Sequence, residues 1–223
     1  MRAATLPTAE TGRRPARTRL APPIDLLVIA AGVVMLSATW LGGFGPVAPL
    51  MIMAGAAGLV ALKPRECLAG VFQCWPLLIV VALGCLSALW STAPSVSIRY
   101  GVQVGITILA TILLVSTLRP EEFLRVVFGS CAIILILCLA SGRQGPSLAG
   151  PVLIGVLGSK NEIGGLSHLL ICSGMALAID RAQPRWLRLL VLPVGAAGLF
   201  VLLTGFSTGA VLSTLMFLAA FAI

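Results

Sequence analysis

An all-α polytopic transmembrane helical bundle of about eight spans, the last one cut short, is the fold class this sequence predicts. Three observations carry that reading. Hydrophobic residues make up 59% of the chain and charged residues 10%, where a water-soluble domain carries about 25% charged. Apolar runs close to the ~20 residues that cross a bilayer recur along the chain. The basic residues lie in short clusters between those runs, the pattern that sets topology. The net charge of +8 is therefore spread out, not gathered into a patch, and no nucleic-acid partner is expected.

Residues 1–23 form a basic tail. Arg2, Arg13, Arg14, Arg17 and Arg19 stand there against a single acid, Glu10. Such a composition is expected to stay disordered on the cytoplasmic side. Residues 24–223 form the transmembrane domain. The run over 24–41 is longer than a signal-peptide core and several more spans follow, so it reads as a retained first helix. Further spans are predicted over 47–62, 75–90, 100–118, 123–139, 163–179 and 186–203. An eighth begins near residue 210 and is still apolar at Ile223.

Loop charges orient the bundle. With the tail inside, the inner connections hold Lys63 and Arg65, then Arg119 and Arg125, then Arg181, Arg185 and Arg188. Only Arg99, Arg143 and Lys160 fall outside. That asymmetry follows the positive-inside rule and places the N-terminus in the cytoplasm of a bacterial cell, with the chain a multi-pass protein of the inner membrane. Trp75, Trp90, Tyr100 and Trp186 sit at predicted span ends, where aromatic belts lie.

The three outer cations stand out because topology does not explain them. Arg99, Gln103, Thr107 and Thr111 recur every fourth residue. They form one polar stripe, which belongs against a bundle interior or a wet cavity and not against lipid. The alternative is that Arg99 only reaches up to lipid headgroups. Ser97, Gly101 and Gly105 form a second stripe, of small residues suited to close helix packing. Pro94 makes a turn before them, and Ser95 or Ser97 is expected to cap the helix.

Arg143 opens the longest outer connection, which runs to Lys160 and is itself partly apolar. It either re-enters the membrane or lies on it, and irregular backbone there must be buried in protein or line a cavity. Its end, Lys160-Asn161-Glu162, starts a span. Ser159 or Asn161 is expected to cap that helix, and Glu162 suits its positive end. A lysine just before a helix N-terminus is unfavourable unless an anion joins it. His168, two turns deeper than Asn161, has two readings: a hydrogen bond within the bundle, or a part in proton transfer or substrate contact. The turn over 203–209 is rich in small hydroxyl residues and reads as local capping. The six cysteines include no CxxC pair and read as small packing residues. No metal spacing is present, and no catalytic residue emerges from pattern alone.

Trp90, Ser91, Pro94, Ser97 and Arg99 spell W-S-x-x-P-x-x-S-x-R, and Gly155, Lys160, Asn161 and Gly164 fall in a G-x-x-x-x-K-N-x-x-G frame. In this order and topology the two motifs resemble the bacterial O-antigen ligase and polymerase superfamily, its exopolysaccharide polymerase branch above all. Leu157 and Ile163 stand where that family has other apolar residues. The later turn, with Thr204, Phe206, Ser207, Thr208 and Gly209, matches in part and lacks the family's basic residue. The likeness covers residues from about 75 to 215.

The resemblance implies glycosyl transfer on the periplasmic face, with no metal and no cofactor. The donor is a glycan on undecaprenyl pyrophosphate. An acceptor hydroxyl attacks the anomeric carbon and the lipid pyrophosphate leaves, its charge met by cations. Arg99, Arg143, Lys160 and Asn161 are the substrate-binding residues expected here. Membrane lipids and other polysaccharide-assembly proteins are the expected partners. The family's acceptor-activating histidine belongs to a large periplasmic loop further along the chain, so the catalytic residue is unknown in this sequence. Members run to about a dozen spans, so this chain reads as truncated and inactive alone. A transporter or flippase for an anionic or lipid-linked solute, or a non-catalytic membrane fragment, stays open beside this reading.

Overall fold

The computed structural model describes residues 23–41, 47–146, 150–205 and 207–221. Apart from Pro23, the basic tail assigned to residues 1–23 lies outside the described residues. Among the described residues there are nine α-helices: α1 (Pro23–Trp40), α2 (Val47–Leu62), α3 (Pro64–Gln73), α4 (Trp75–Leu86), α5 (Pro94–Thr117), α6 (Pro120–Ser141), α7 (Lys160–Ile179), α8 (Arg185–Thr204) and α9 (Thr208–Phe221). One small antiparallel hairpin, β1 (Gln144–Gly145) and β2 (Val152–Leu153), interrupts them.

The chain is all-α in class and a multi-pass membrane protein by the length and apolarity of its helices. α5, α6, α7 and α8 are each long and apolar enough to cross a bilayer; α2 and α3 together would make a fifth span, bent by 110°. The apolar helices in α1, α4 and α9 are shorter.

Hydropathy located the helices well in their middles and less well at their ends. α2 has the predicted bounds, and α1 lies within one residue of them. α5 begins at Pro94, six residues before the predicted span, because its first turn is polar. Proline fits that first position, where the missing N–H has no partner to lose. α6 likewise starts early, on Pro120, with the Glu122 carboxylate accepting from the Arg119 N–H at 2.9 Å.

α3 is a helix where the hydropathy and charge pattern predicts an inner connection. Averaged hydropathy cancels over an amphipathic segment, which hides it. Cys67 and Gly70 face inward, with Gly70 pressed on Ser116 of α5, while Leu68 and Phe72 are exposed. Lys63 ties the bend down by donating from Nζ to the Thr117 carbonyl at 2.9 Å.

Two apolar clusters form the core. One joins α6, α7 and α8 around Ile134, Leu166 and Leu170. The other joins α1, α2, α3, α5 and α6 around Met35, Leu59 and Val126. α6 contributes to both, so it is the shared wall of the bundle. α4 buries none of its residues and meets α5 through the small-residue stripe. A Cβ on Gly101 would stand 2.8 Å from Cys85 Sγ, and one on Gly105 2.7 Å from Val81. That close approach is what the stripe predicts.

Candidate functional site

Arg99 stands in the second turn of α5, and the preceding loop fixes where that helix starts. The Ala93 N–H donates to Ser91 Oγ at 3.1 Å, and Ser97 Oγ donates to the same oxygen at 2.8 Å. The N-cap expected at Ser95 or Ser97 falls on neither of them. It is Ala93, without a side-chain cap, because Pro94 sets the first helical residue one place later. Ser91, Pro94 and Ser97 therefore cooperate in one turn, and the spacing of the W-S-x-x-P-x-x-S-x-R motif has a local structural reason.

The polar stripe of α5 faces a cavity. Arg99, Gln103 and Thr107 line a space of about 420 Å³ between α5, the end of α1 and the start of α2. Thr39 adds a hydroxyl from α1; Ala38, Ala48, Pro49, Ile52, Val102 and Ile106 make the rest of the lining largely apolar. Thr107 Oγ donates to the Gln103 carbonyl at 3.0 Å, which leaves its lone pairs to the space. Thr111, one turn further down, is not among the lining residues. A fork of guanidinium donors, an amide and a hydroxyl along one wall, opposed by apolar walls, suits a ligand with an anionic head and an apolar body.

Arg143 and Lys160 bracket the hairpin. Gly142, with φ of 57°, ends α6. The Arg143 carbonyl then accepts from both Ile154 N–H and Gly155 N–H at 3.0 Å each. Gln144 pairs with Leu153 and Gly145 with Val152. Val152, Ile154 and Gly155 are buried, and β2 packs on α7 and α8. Over Val152–Gly155 the irregular backbone is thus largely buried in protein, while Arg143, Gln144, Pro146 and Pro151 of the same connection are exposed. Two-residue strands are too short to leave a period-two pattern, so the hairpin itself was not legible in the sequence.

Both motif glycines have packing reasons. Gly155 has φ of 52° and lies against Cys138, so a side chain there would be strained and would also collide. At Gly164 a Cβ would stand 2.6 Å from the Cβ of Ser207. The second motif and the turn over 203–209 therefore meet in space. Between the glycines, Ser159 caps α7 by accepting from the Asn161 N–H at 3.3 Å. Lys160 is half-buried, while Asn161 and Arg143 are exposed.

His168 is hydrogen-bonded within the bundle. Its Nδ1 lies 2.8 Å from Thr214 Oγ of α9, whose hydroxyl donates to the Ala210 carbonyl at 2.8 Å. A hydroxyl has one proton to give, and with that proton on the Ala210 carbonyl the Thr214 oxygen accepts from Nδ1. This partner is 46 residues away in sequence and no local pattern pointed to it.

The structure thus distributes the expected site residues over two places. Arg99 lines the α1–α2–α5 cavity, and none of Arg143, Lys160 and Asn161 is among its lining residues. Those three belong to the hairpin and the start of α7. Thr39, Ala48, Pro49 and Ile52 had no sequence signal, because small and apolar residues in a span look alike until a neighbouring helix faces them. Cys67, Cys131 and Cys138 are buried in packing, and all six thiols are free. Among the described residues, no three His, Cys, Asp or Glu side chains cluster as a metal site would require. Compared with family models, curated proteins and solved structures, the chain has no match.

Proposed function

We propose that the chain is a membrane glycosyltransferase-like protein of surface-polysaccharide assembly, a polymerase or ligase acting on glycan carried by undecaprenyl pyrophosphate. The observation that carries this reading is the amphipathic cavity behind Arg99. A polyprenyl pyrophosphate has an anionic head and a long apolar tail, and the cavity offers guanidinium, amide and hydroxyl groups beside apolar walls. Arg143, Lys160 and Asn161 lie apart from that cavity, at the hairpin and the start of α7, and in this reading they meet the glycan of the donor and not its pyrophosphate. In this reading the helices make eight passes, counting the shorter α1, α4 and α9, and the cavity opens on the periplasmic side of a bacterial inner membrane.

Binding of a fluorescent polyprenyl pyrophosphate to the chain in nanodiscs tests the cavity. Arg99→Ala is expected to weaken binding roughly 10- to 100-fold, the worth of a charged hydrogen bond of about 1.5–3 kcal/mol. Arg99→Lys recovers only part, because an ammonium cannot make a bidentate contact to phosphate. Equal binding by wild type and Arg99→Ala removes this reading. Tight binding accompanied by lipid movement between leaflets, without sugar transfer in the assembled system, favours the flippase alternative.

Orientation is tested separately. A cysteine at exposed Gln144 is expected to react with an impermeant thiol reagent from the periplasmic side. One at Ala182 should react only after the inner face is opened. Background thiols are removed beforehand by changing the six native cysteines to alanine or serine. The reverse pattern would place the cavity on the cytoplasmic face and remove the donor assignment with it.

A further inference from the structure

α3 leaves α2 at a bend of 110°. With α2 standing along the membrane normal, that bend lays α3 within roughly 20° of the membrane plane. Its ten residues include Arg65, Glu66 and Gln73, which do not belong in a segment that continues through hydrocarbon. Lys63, just past the end of α2, bounds it on one side. Trp75, which opens α4 and is 59% exposed, bounds it on the other. Lysine and tryptophan at span ends mark the level of the lipid headgroups, so both ends of α3 lie at one membrane surface.

The helix has three distinct faces. Cys67 and Gly70 are buried, and a Cβ on Gly70 would meet Ser116, so α5 takes the first face. Leu68 and Phe72, one turn apart, share the second and are 61% and 75% exposed. Glu66 and Gln73 share the third, which is exposed as well and lies about 130° around the helix from the second. Arg65 falls beside Phe72 on the border between the apolar and polar faces. α3 packs on α5 and α2, and neither of them covers Leu68 or Phe72.

We propose that α3 is a membrane-surface anchor whose partner is the lipid of the leaflet on its own side. Leu68 and Phe72 enter the boundary between headgroups and acyl chains, Arg65 stays at headgroup level, and Glu66 and Gln73 face water. The anchor acts on the walls of the Arg99 cavity. Lys63 Nζ donates to the Thr117 carbonyl, and Gly70 presses on Ser116, so α3 is fastened to the end of α5. α2 and α5 both line that cavity. Seating α3 on the lipid surface therefore fixes the far ends of two of its walls.

Tryptophan fluorescence of the full chain in nanodiscs of phosphatidylcholine and phosphatidylglycerol tests the anchor. The four native tryptophans are changed to phenylalanine. A single one is then returned by Phe72→Trp or, on the polar face, by Gln73→Trp. The quenchers are lipid brominated near the headgroup, lipid brominated near the chain end, and aqueous iodide. Shallow bromine is expected to quench Phe72→Trp at least about 2-fold more than Gln73→Trp, with iodide preferring Gln73→Trp. If the tryptophan-free chain does not fold, the native tryptophans stay and the increment from each added one is read. Equal quenching of the two positions by iodide puts α3 in water and overturns the proposal. Strongest quenching of Phe72→Trp by deep bromine makes α2 and α3 one broken span and overturns it too. A Phe72→Trp side chain reached by neither bromine nor iodide is covered by protein, which overturns the lipid assignment.

Discussion

Gly155→Ala is expected to be the most damaging small substitution in the outer connection. Two costs coincide there. The backbone has φ of 52°, a left-handed conformation that costs an alanine about 1–2 kcal/mol. The new methyl group would also meet Cys138, standing 2.6 Å from its Sγ, and overpacking of that kind costs about 1–3 kcal/mol. Gly158 separates the two terms. Its φ is 80°, yet a Cβ there would meet nothing within 4 Å, so Gly158→Ala should cost only the backbone part. Unfolding of both variants by detergent titration, beside wild type, measures the difference. Equal stability of the two variants would mean that Gly155 does not press on Cys138 and that the hairpin is not anchored to α6. The consequence reaches the candidate site, because Lys160 and Asn161 follow Gly155 on the same short connection.

Leu170→Ala is the second large expected effect. Leu170 is fully buried among α6, α7 and α8, and a Cβ on Gly198 would stand 3.0 Å from its Cδ2. In a soluble protein, such a truncation costs about 2–5 kcal/mol, part from transfer to water and part from the cavity left behind. In a bilayer the transfer part is small, because lipid is as apolar as leucine, and the packing part remains. A loss of about 2–3 kcal/mol is therefore expected. Leu169→Ala, at a position 41% exposed, is expected to change stability by less than about 0.5 kcal/mol. The same unfolding titration distinguishes them. A Leu170→Ala variant as stable as Leu169→Ala would show that α7 is not packed in the core as described.

How much was legible differs between residues for physical reasons. Apolar runs betray helices because a bilayer demands them, and α1, α2, α6, α7 and α8 were readable in that way. α3 was not, because its exposed, buried and polar positions average to nothing in a hydropathy window. The stripe of Arg99, Gln103 and Thr107 was legible as a stripe, since helical period is a local property. What lies opposite it was not. The Ala38, Thr39, Ala48 and Pro49 side of the cavity comes from residues fifty or more positions away, chosen by how α1 and α2 cross.

The sequence by itself determined an all-α membrane chain, the approximate helix borders, the two small-residue and polar faces of α5, and a capped start of α7 at Ser159 or Asn161. These follow from periodicity, hydropathy and local hydrogen bonding, which act over a few residues. Only the tertiary structure decided that Arg99 opens onto a cavity apart from Arg143, Lys160 and Asn161. It alone paired His168 with Thr214, and it alone set Gly164 of the second motif against Ser207. Each of those depends on which helices are neighbours and how closely they approach, and packing between distant segments leaves no local pattern in the chain.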